Sequence, residues 1–377
     1  MATLAQCGMN ITFFFVLVFL PFYVQQISHL DAHATLLWTG LIMGATSMAG
    51  AIFSPIWGAL TARISPKLIF LRGIGAHALL VFLTPFLPNI YILFLIRVLE
   101  GAMGGVSTLG LIITSAASPR ERLTQNLSVF QSGMTIGQLL GPPLGAATAA
   151  LVGFKPAFLV SAGMTALVVL YTARYLSPIP PQKRSPGAEP RRSLPTLLAA
   201  APLYFAVTLQ LIFLPAILPR ILAGMGVESG AAIVLAGLIV TAYTLASAST
   251  TYAMSRMGPP RRPGRWILTA GLLASGLQLL LALAGTPLLF TLVRVAQVAC
   301  LSSVAPLLIS HVAARGEVAS LGFLNAGRFI GNALGPVLAT FVLASASPLA
   351  LYGLLSAILV VALLPQITRS GPGARGE

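Results

Sequence analysis

Two charged side chains stand three residues apart inside an apolar run, Arg97 and Glu100 of LIRVLEG. On a helix that spacing puts both on one face, where they can form an ion pair. A charge at the centre of a bilayer costs about 2.5–3.5 kcal/mol on insertion scales, so it is seldom incidental. Burial works against the carboxylate and Arg97 works for it, which leaves two uses open. Glu100 binds and releases a proton, or the pair stays ionised and only neutralises Arg97. Of the acids Asp31, Glu100, Glu121, Glu189, Glu228, Glu317 and Glu377, only Glu100 falls well within an apolar run. Arg294 and Gln297 repeat the spacing with an amide in place of the acid, and Arg328 lies in a third such run. Three buried arginines against one carboxylate leave an excess of two positive charges. A cavity lined by them favours a neutral, zwitterionic or anionic solute over a cation. Arg328 is the first candidate for contact with it; the alternative is a hydrogen bond to backbone carbonyls or to a neighbouring helix.

Aromatic and amide side chains fill out a candidate pocket. Phe15, Phe19, Phe22 and Tyr23 follow one another along the first apolar run, with Gln25 and Gln26 near its end. Gln131, Gln138, Tyr204, Gln210, Tyr243 and Asn325 add polar handles elsewhere. A few placed polar groups in an apolar cavity suit small-molecule binding, while each aromatic alone reads equally as packing. His77 titrates near neutral pH in free form, but its helix is expected outside a central cavity, in a packing role. His29, Asp31 and His33 make three ligand types without a fourth, a weak metal hint. Cys7 and Cys300 form neither a disulfide framework nor a zinc site. No HExxH, no GxSxG and no second buried carboxylate supplies hydrolytic chemistry. No G-x-x-x-x-G-K-S/T loop is present for bound ATP. Neither an enzyme nor an ATP-driven machine is expected, and neither a cofactor nor a metal.

The elements that must position these residues follow from composition. Of 377 residues, 57% are hydrophobic and 8% charged, about a third of the charge a soluble domain carries. The surplus apolar surface must face lipid. At about 20 residues per span, the apolar runs give twelve: 4–28, 36–61, 68–87, 89–114, 124–152, 156–177, 196–219, 230–254, 266–285, 288–311, 318–343 and 348–367. The first is expected to be a span, not a removable signal. The net charge of +15 would suggest nucleic acid in a soluble chain, but its placement says otherwise. Seventeen of the 22 basic residues fall in even-numbered connections and the tail, Arg72 among them, and two, Lys155 and Arg220, in odd-numbered ones. The positive-inside rule then puts both termini in the cytoplasm. The lipid bilayer is the expected partner, and nucleic acid is not; the chain is expected to act as a monomer.

Residues 178–195 are rich in proline and charge and divide the chain into six-span bundles, 1–177 and 196–368, with a tail at 369–377. The halves repeat. Arg97 and Arg294 are 197 positions apart, and Gly133, Gly137, Gly141 and Pro142 precede Gly327, Gly331, Gly335 and Pro336 by 194 each. Arg63 and Arg256 differ by 193. Such repeats place a substrate site near the bilayer midplane, between the halves. Gly133, Gly137, Gly141 and Gly145 form one smooth ridge along a helix, against which a neighbour can approach closely. Pro142 removes a backbone hydrogen bond and permits a bend.

FLPFYVQQ at 19–26, SPIWGALTARISPK at 54–67, RVLEG at 97–101 and GQLLGPPLG at 137–145 together resemble the major facilitator superfamily, and within it the twelve-span drug:proton antiporters. With LWTG and GRFIGNALGP at 327–336, they look closest to the MdtG type of bacterial multidrug efflux protein. The resemblance implies an all-helical fold of two pseudo-symmetric six-helix bundles in a bacterial inner membrane. It implies alternating access, with export of small amphipathic molecules driven by the proton gradient; a facilitator or symporter for a specific metabolite shares the architecture. Arg97 then belongs to a motif implied to take part in proton transfer, with glutamine commonest where Glu100 stands. The glycine ridge, with Gly331, Gly335 and Pro336 in the second copy, matches a motif implied to seal and flex between halves; tight packing alone is the alternative. Gly58, Arg63 and Lys67 fit the cytoplasmic gating motif, as does Arg256 in the second half. Ala62 and Ser255 stand where that motif has its acid, and Ser65 where it has a glycine, so both gate latches lack their carboxylate. The first span carries no acid, although many such antiporters have one there.

Overall fold

The computed structural model describes residues 1–119, 122–181, 194–257, 260, 262–313 and 318–369, with backbone alone at 124, 194–199, 309–313, 318–326 and 366–369. Those residues are helical, and no strand occurs among them. The chain runs as α1 (Ala2–Ile27), α2 (Ala32–Leu60), α3 (Pro66–Leu83), α4 (Ile90–Ala102), α5 (Val106–Ala116), α6 (Leu123–Val152) and α7 (Phe154–Tyr175). It continues as α8 (Leu194–Ile212), α9 (Leu214–Gly224), α10 (Ser229–Met257), α11 (Pro263–Leu280), α12 (Pro287–Ala313), α13 (Val318–Ser345) and α14 (Pro348–Arg369). Eleven stretches are long and apolar enough to cross a membrane, and α8 with α9, bent by 43°, makes a twelfth. Large apolar side chains stay outside: Leu283 is 75% exposed and Leu288 71%. That exposure is costly in water and costs nothing against lipid tails. The protein is a multi-pass membrane protein.

The expected spans hold to within a few residues, with two departures of substance. The fourth is broken: α4 stops at Ala102 and α5 starts at Val106, with Gly105 at φ +81°. A side chain there would be strained. The seventh is broken at Phe213 and runs on to Gly224, so Arg220 lies within a helix and not in a connection. Arg72 likewise sits on α3, well inside its span, and does not belong to the preceding connection. By contrast α6 continues through Pro142 and Pro143, and α13 through Pro336, as unbroken helices.

Caps explain several boundaries. Asp31 accepts from Ala34 N at 2.6 Å and starts α2, while Asn89 accepts from Tyr91 and Ile92 N and starts α4. Asp31 is therefore a cap, and among the described residues no cluster of three metal-ligating side chains occurs. Gly153 at φ +85° turns the chain between α6 and α7 in a single residue.

Contacts gather the chain into two compact units, Met1–Gly187 with Glu228–Thr241, and Ala188–Val227 with Ala242–Glu377. In the first, Met9, Phe70, Ile74, Leu109 and Ile113 share a buried cluster. In the second, Leu203, Val207, Leu301, Leu307 and Leu363 do the same.

Candidate functional site

Each unit encloses a buried polar cluster built around the arginine of the repeated motif. In the first, Arg97 and Glu100 on α4 are each 5% exposed, and Arg97 Nη1 contacts Glu100 Oε2. The i,i+3 spacing read from the sequence is what joins them. The other carboxylate oxygen, Oε1, faces His77 Nδ1 of α3 at 2.6 Å, a contact too short for two bare lone pairs but not aligned as an ideal hydrogen bond. His77 is 2% exposed, and its ring lies 6.2 Å from that of Phe13 on α1. Thr46 on α2 donates to the Arg97 carbonyl at 3.2 Å. A void of about 10 Å³, lined by Phe13, Leu17, Ile42, Met43, Thr46 and Arg97, opens beside the cluster.

The second cluster has the same scaffold and different chemistry. Arg294 on α12 is fully buried; Nη1 donates to Gln297 Oε1 at 2.6 Å, and Nη2 to the carbonyls of Gln210 and Leu211 at 2.8 and 3.2 Å. Those carbonyls end α8, where the break at Phe213 frees them and the helix dipole is negative. The guanidinium also lies 4.9 Å from the Phe213 ring centroid and 5.0 Å from that of Tyr243. Gln297 Nε2 donates to Gln210 Oε1 at 3.0 Å and to Gln278 Oε1 of α11, and Gln210 Nε2 to Leu355 O at 3.0 Å. Carbonyls, amides and ring faces stand where the first cluster has a carboxylate.

The structure thus joins Arg97 with Glu100, and Arg294 with Gln297, Gln210 and Tyr243. It puts the other sequence candidates elsewhere. Phe19 and Tyr23 are buried in an aromatic stack with Phe154 and Phe158, and Tyr23 donates to Thr84 O. Gln131 is exposed on α6 and Gln138 half-buried. Arg328 is half-buried on α13, within electrostatic reach of Tyr204, and its buried Nε has no acceptor among the described residues. Asn325 belongs to α13, its side chain outside the described residues.

The glycine ridge of α6 is a seam against α1. A Cβ at Gly137 would lie 2.6 Å from Cys7 O, and at Gly141 2.7 Å from Phe14 Cβ; at Gly145 it would strike the Phe15 backbone. Gly331 and Gly335 face α8 in the same way, meeting Phe205 O at 2.9 Å and Ile212 Cγ2 at 2.8 Å. Both ridges engage a helix of their own unit. Gly58 has open space around it, Arg63 is exposed after α2, Lys67 Nζ reaches Ala173 O at 2.9 Å, and Arg256 is exposed over Tyr252.

Three contributors escaped the sequence. His77 was expected in a packing role, and it touches Glu100. Trp57 and Arg72 hold the break in the fourth span: Trp57 Nε1 donates to Ala102 O at 2.6 Å, and Arg72 Nη2 to Met103 and Gly104 O at 2.7 and 3.2 Å. The guanidinium lies 3.3 Å from the Trp57 ring centroid. No local spacing links these residues; a lone histidine or arginine inside an apolar run is the one available signal.

A family model described as Major Facilitator Superfamily matches residues 2–235. The multidrug resistance protein MdtG of Citrobacter koseri is 26% identical over 360 residues, 91% of this chain and 88% of that one. MdtG of Proteus mirabilis is 30% identical over 165 residues, a match that takes in 44% of this chain and only 41% of that protein. Among solved structures, the human organic anion transporter MFSD10 has a TM-score of 0.74 at 18% identity, covering 97% of both chains.

Proposed function

This chain belongs to the major facilitator superfamily, a transporter and not an enzyme, and on that premise we propose that it exports small amphipathic molecules by alternating access coupled to proton entry. The observation that carries the coupling is the buried Arg97–Glu100 contact on α4. An ionisable pair inside a span is a functional site by default, and Arg97 and Glu100 are the proposed proton-coupling residues. Likeness to MdtG proteins along most of the chain supports multidrug export. The excess of cationic groups within the spans, buried Arg97 and Arg294 and half-buried Arg328 against Glu100, supports substrates that are neutral, zwitterionic or anionic. Likeness to bacterial MdtG proteins supports a bacterial inner membrane, and the bias of basic residues to one set of connections supports cytoplasmic termini. We take the working form to be a monomer that needs no cofactor beyond the proton gradient.

The test is a screen in proteoliposomes with an imposed pH gradient. The probes are rhodamine 6G as lipophilic cation, chloramphenicol as neutral compound, norfloxacin as zwitterion and carboxyfluorescein as anion. Gradient-dependent transport of one of the last three, lost in Glu100→Gln, is the expected result. Preferential movement of the cation would overturn the substrate class. Transport indifferent to the gradient would overturn coupling and favour a facilitator.

A further inference from the structure

We propose that the coupling proton is carried on His77, at Nε2, with the Glu100 carboxylate as its fixed counter-charge and Arg97 as that carboxylate's ion-pair partner. This rests on the proton-coupled reading above and narrows it to one atom.

Four buried charged or imidazole side chains occur among the described residues: His77, Arg97, Glu100 and Arg294. Arginine does not release its proton in proteins. Glu100 has a cationic partner on one oxygen and an imidazole on the other. That leaves His77, whose free side chain changes charge nearest to physiological pH. Its two nitrogens have separate surroundings. Nδ1 stands 2.6 Å from a carboxylate oxygen, too near for two bare lone pairs although not aligned as a hydrogen bond, so the proton of a neutral imidazole is favoured at Nδ1. Which nitrogen carries the proton of a neutral imidazole is set by such a contact, so Nε2 is the bare one. It is buried and, like Nδ1, has no aligned hydrogen-bond partner among the described residues; unlike Nδ1, it faces no carboxylate oxygen there.

With Nε2 bare, Arg97 and Glu100 cancel and the cluster is neutral. A proton added to the Nε2 lone pair makes an imidazolium and brings the cluster to one positive charge; Nδ1–H stays on Glu100. Release returns it from the same atom, and no other bond changes. The Phe13 ring packs beside the imidazole and also walls the 10 Å³ void that reaches Arg97.

Other charged groups on the packed helices are directed away. On α3 itself, Lys67 reaches Ala173 O and Arg72 reaches Met103 and Gly104 O. Tyr91, at the start of α4, stacks on Trp38. On α1, Tyr23 bonds Thr84 O and Cys7 lies several turns off. No residue of α5 titrates, and Lys155, Tyr171, Arg174 and Tyr175 sit at the two ends of α7. The second unit's cluster, built on Gln210, Gln278 and Gln297 around Arg294, has no group that exchanges a proton near neutral pH.

The chain has four histidines, His29, His33, His77 and His311, few enough to follow one by one. The full-length protein, labelled with ¹⁵N-histidine in lipid nanodiscs, is titrated from about pH 9 to about pH 5, across the histidine range. The His77 resonances are assigned by their loss in His77→Gln, or by elimination from variants at the other three if that one does not fold. At the alkaline end His77 is expected as the Nδ1–H tautomer, and on acidification as the doubly protonated ring. A ring that rests with its proton on Nε2, or holds one protonation state throughout, overturns the proposal. If the wild type responds to the gradient in vesicles and His77 does not change state, this proposal falls and proton coupling stands. If transport ignores the gradient, both fall.

Discussion

Replacing Gly141 by alanine tests whether α6 is seated on α1 by its glycine face. The added Cβ would lie 2.7 Å from Phe14 Cβ, 2.8 Å from Ile11 O and 2.9 Å from Phe15 N. Carbon atoms rest at about 3.5–4.0 Å, so α1 must retreat by roughly 0.7 Å or more at this level. Two of the three atoms belong to the backbone, which no rotamer change can move. Overpacking of this kind costs about 1–3 kcal/mol. For a unit of this size that lowers Tm by about 2–12 °C, at roughly 2–4 °C per kcal/mol. The assay is thermal unfolding of purified protein in one detergent, followed by the tryptophan signal and by the monodisperse fraction after heating. Gly163→Ala on α7 is the control, because a Cβ there meets nothing within 4 Å. The refuting result is Gly141→Ala melting together with wild type and with Gly163→Ala, which would mean the helices do not meet at this seam.

Arg294→Lys should destabilise the protein by about 2–4 kcal/mol, because an ammonium cannot span Gln297 Oε1 and the α8 carbonyls as the guanidinium fork does; the melt of the purified variant reads it. Glu100→Leu should be worse than the double variant Arg97→Leu/Glu100→Leu, since the single change strands a buried cation. A double-mutant cycle on Tm with a coupling energy below about 1 kcal/mol would contradict the buried contact. Gly105→Ala should cost about 1–2 kcal/mol through its left-handed backbone. Trp57→Phe should cost a similar amount by leaving Ala102 O without a donor at the same break, and melts of the two variants should shift alike.

How far the fold could be read from the sequence depended on the range of the interaction. Spans and the repeat are local or periodic, and they were legible to within a few residues. The Arg97–Glu100 contact was legible too, because three residues on a helix fix a shared face. The breaks at Gly105 and Phe213 were not. Apolar runs continue through both, and what decides them is a distant donor: Trp57 and Arg72 for the first, Arg294 for the second. His77 was misjudged for the same reason, since its place against Glu100 is set by how α3 packs on α4. Phe19 and Tyr23 point to a general ambiguity. An aromatic at helical spacing packs a core or lines a pocket with the same sequence signature, and here both are packed against α7.

The two clusters show what the repeat has preserved and what it has let diverge. Each needs an arginine buried on the fourth helix of its half, and a buried cation needs compensation. The first unit supplies it with one carboxylate, and then adds an imidazole on the carboxylate's other oxygen. The second supplies it with neutral acceptors alone: two carbonyls freed by the bend at Phe213, an amide oxygen and two ring faces. A cluster of the second kind keeps the same charge at every physiological pH. Of the two clusters, the first is therefore the one that can switch with a proton. Exchanging the chemistry is the decisive trial: Gln297→Glu should leave Arg294 seated and install a carboxylate, whereas Glu100→Gln with His77→Gln should make the first cluster as indifferent to pH as the second. A pH-dependent melt that survives the latter pair, and is unchanged by the former, would place the titrating group outside both clusters.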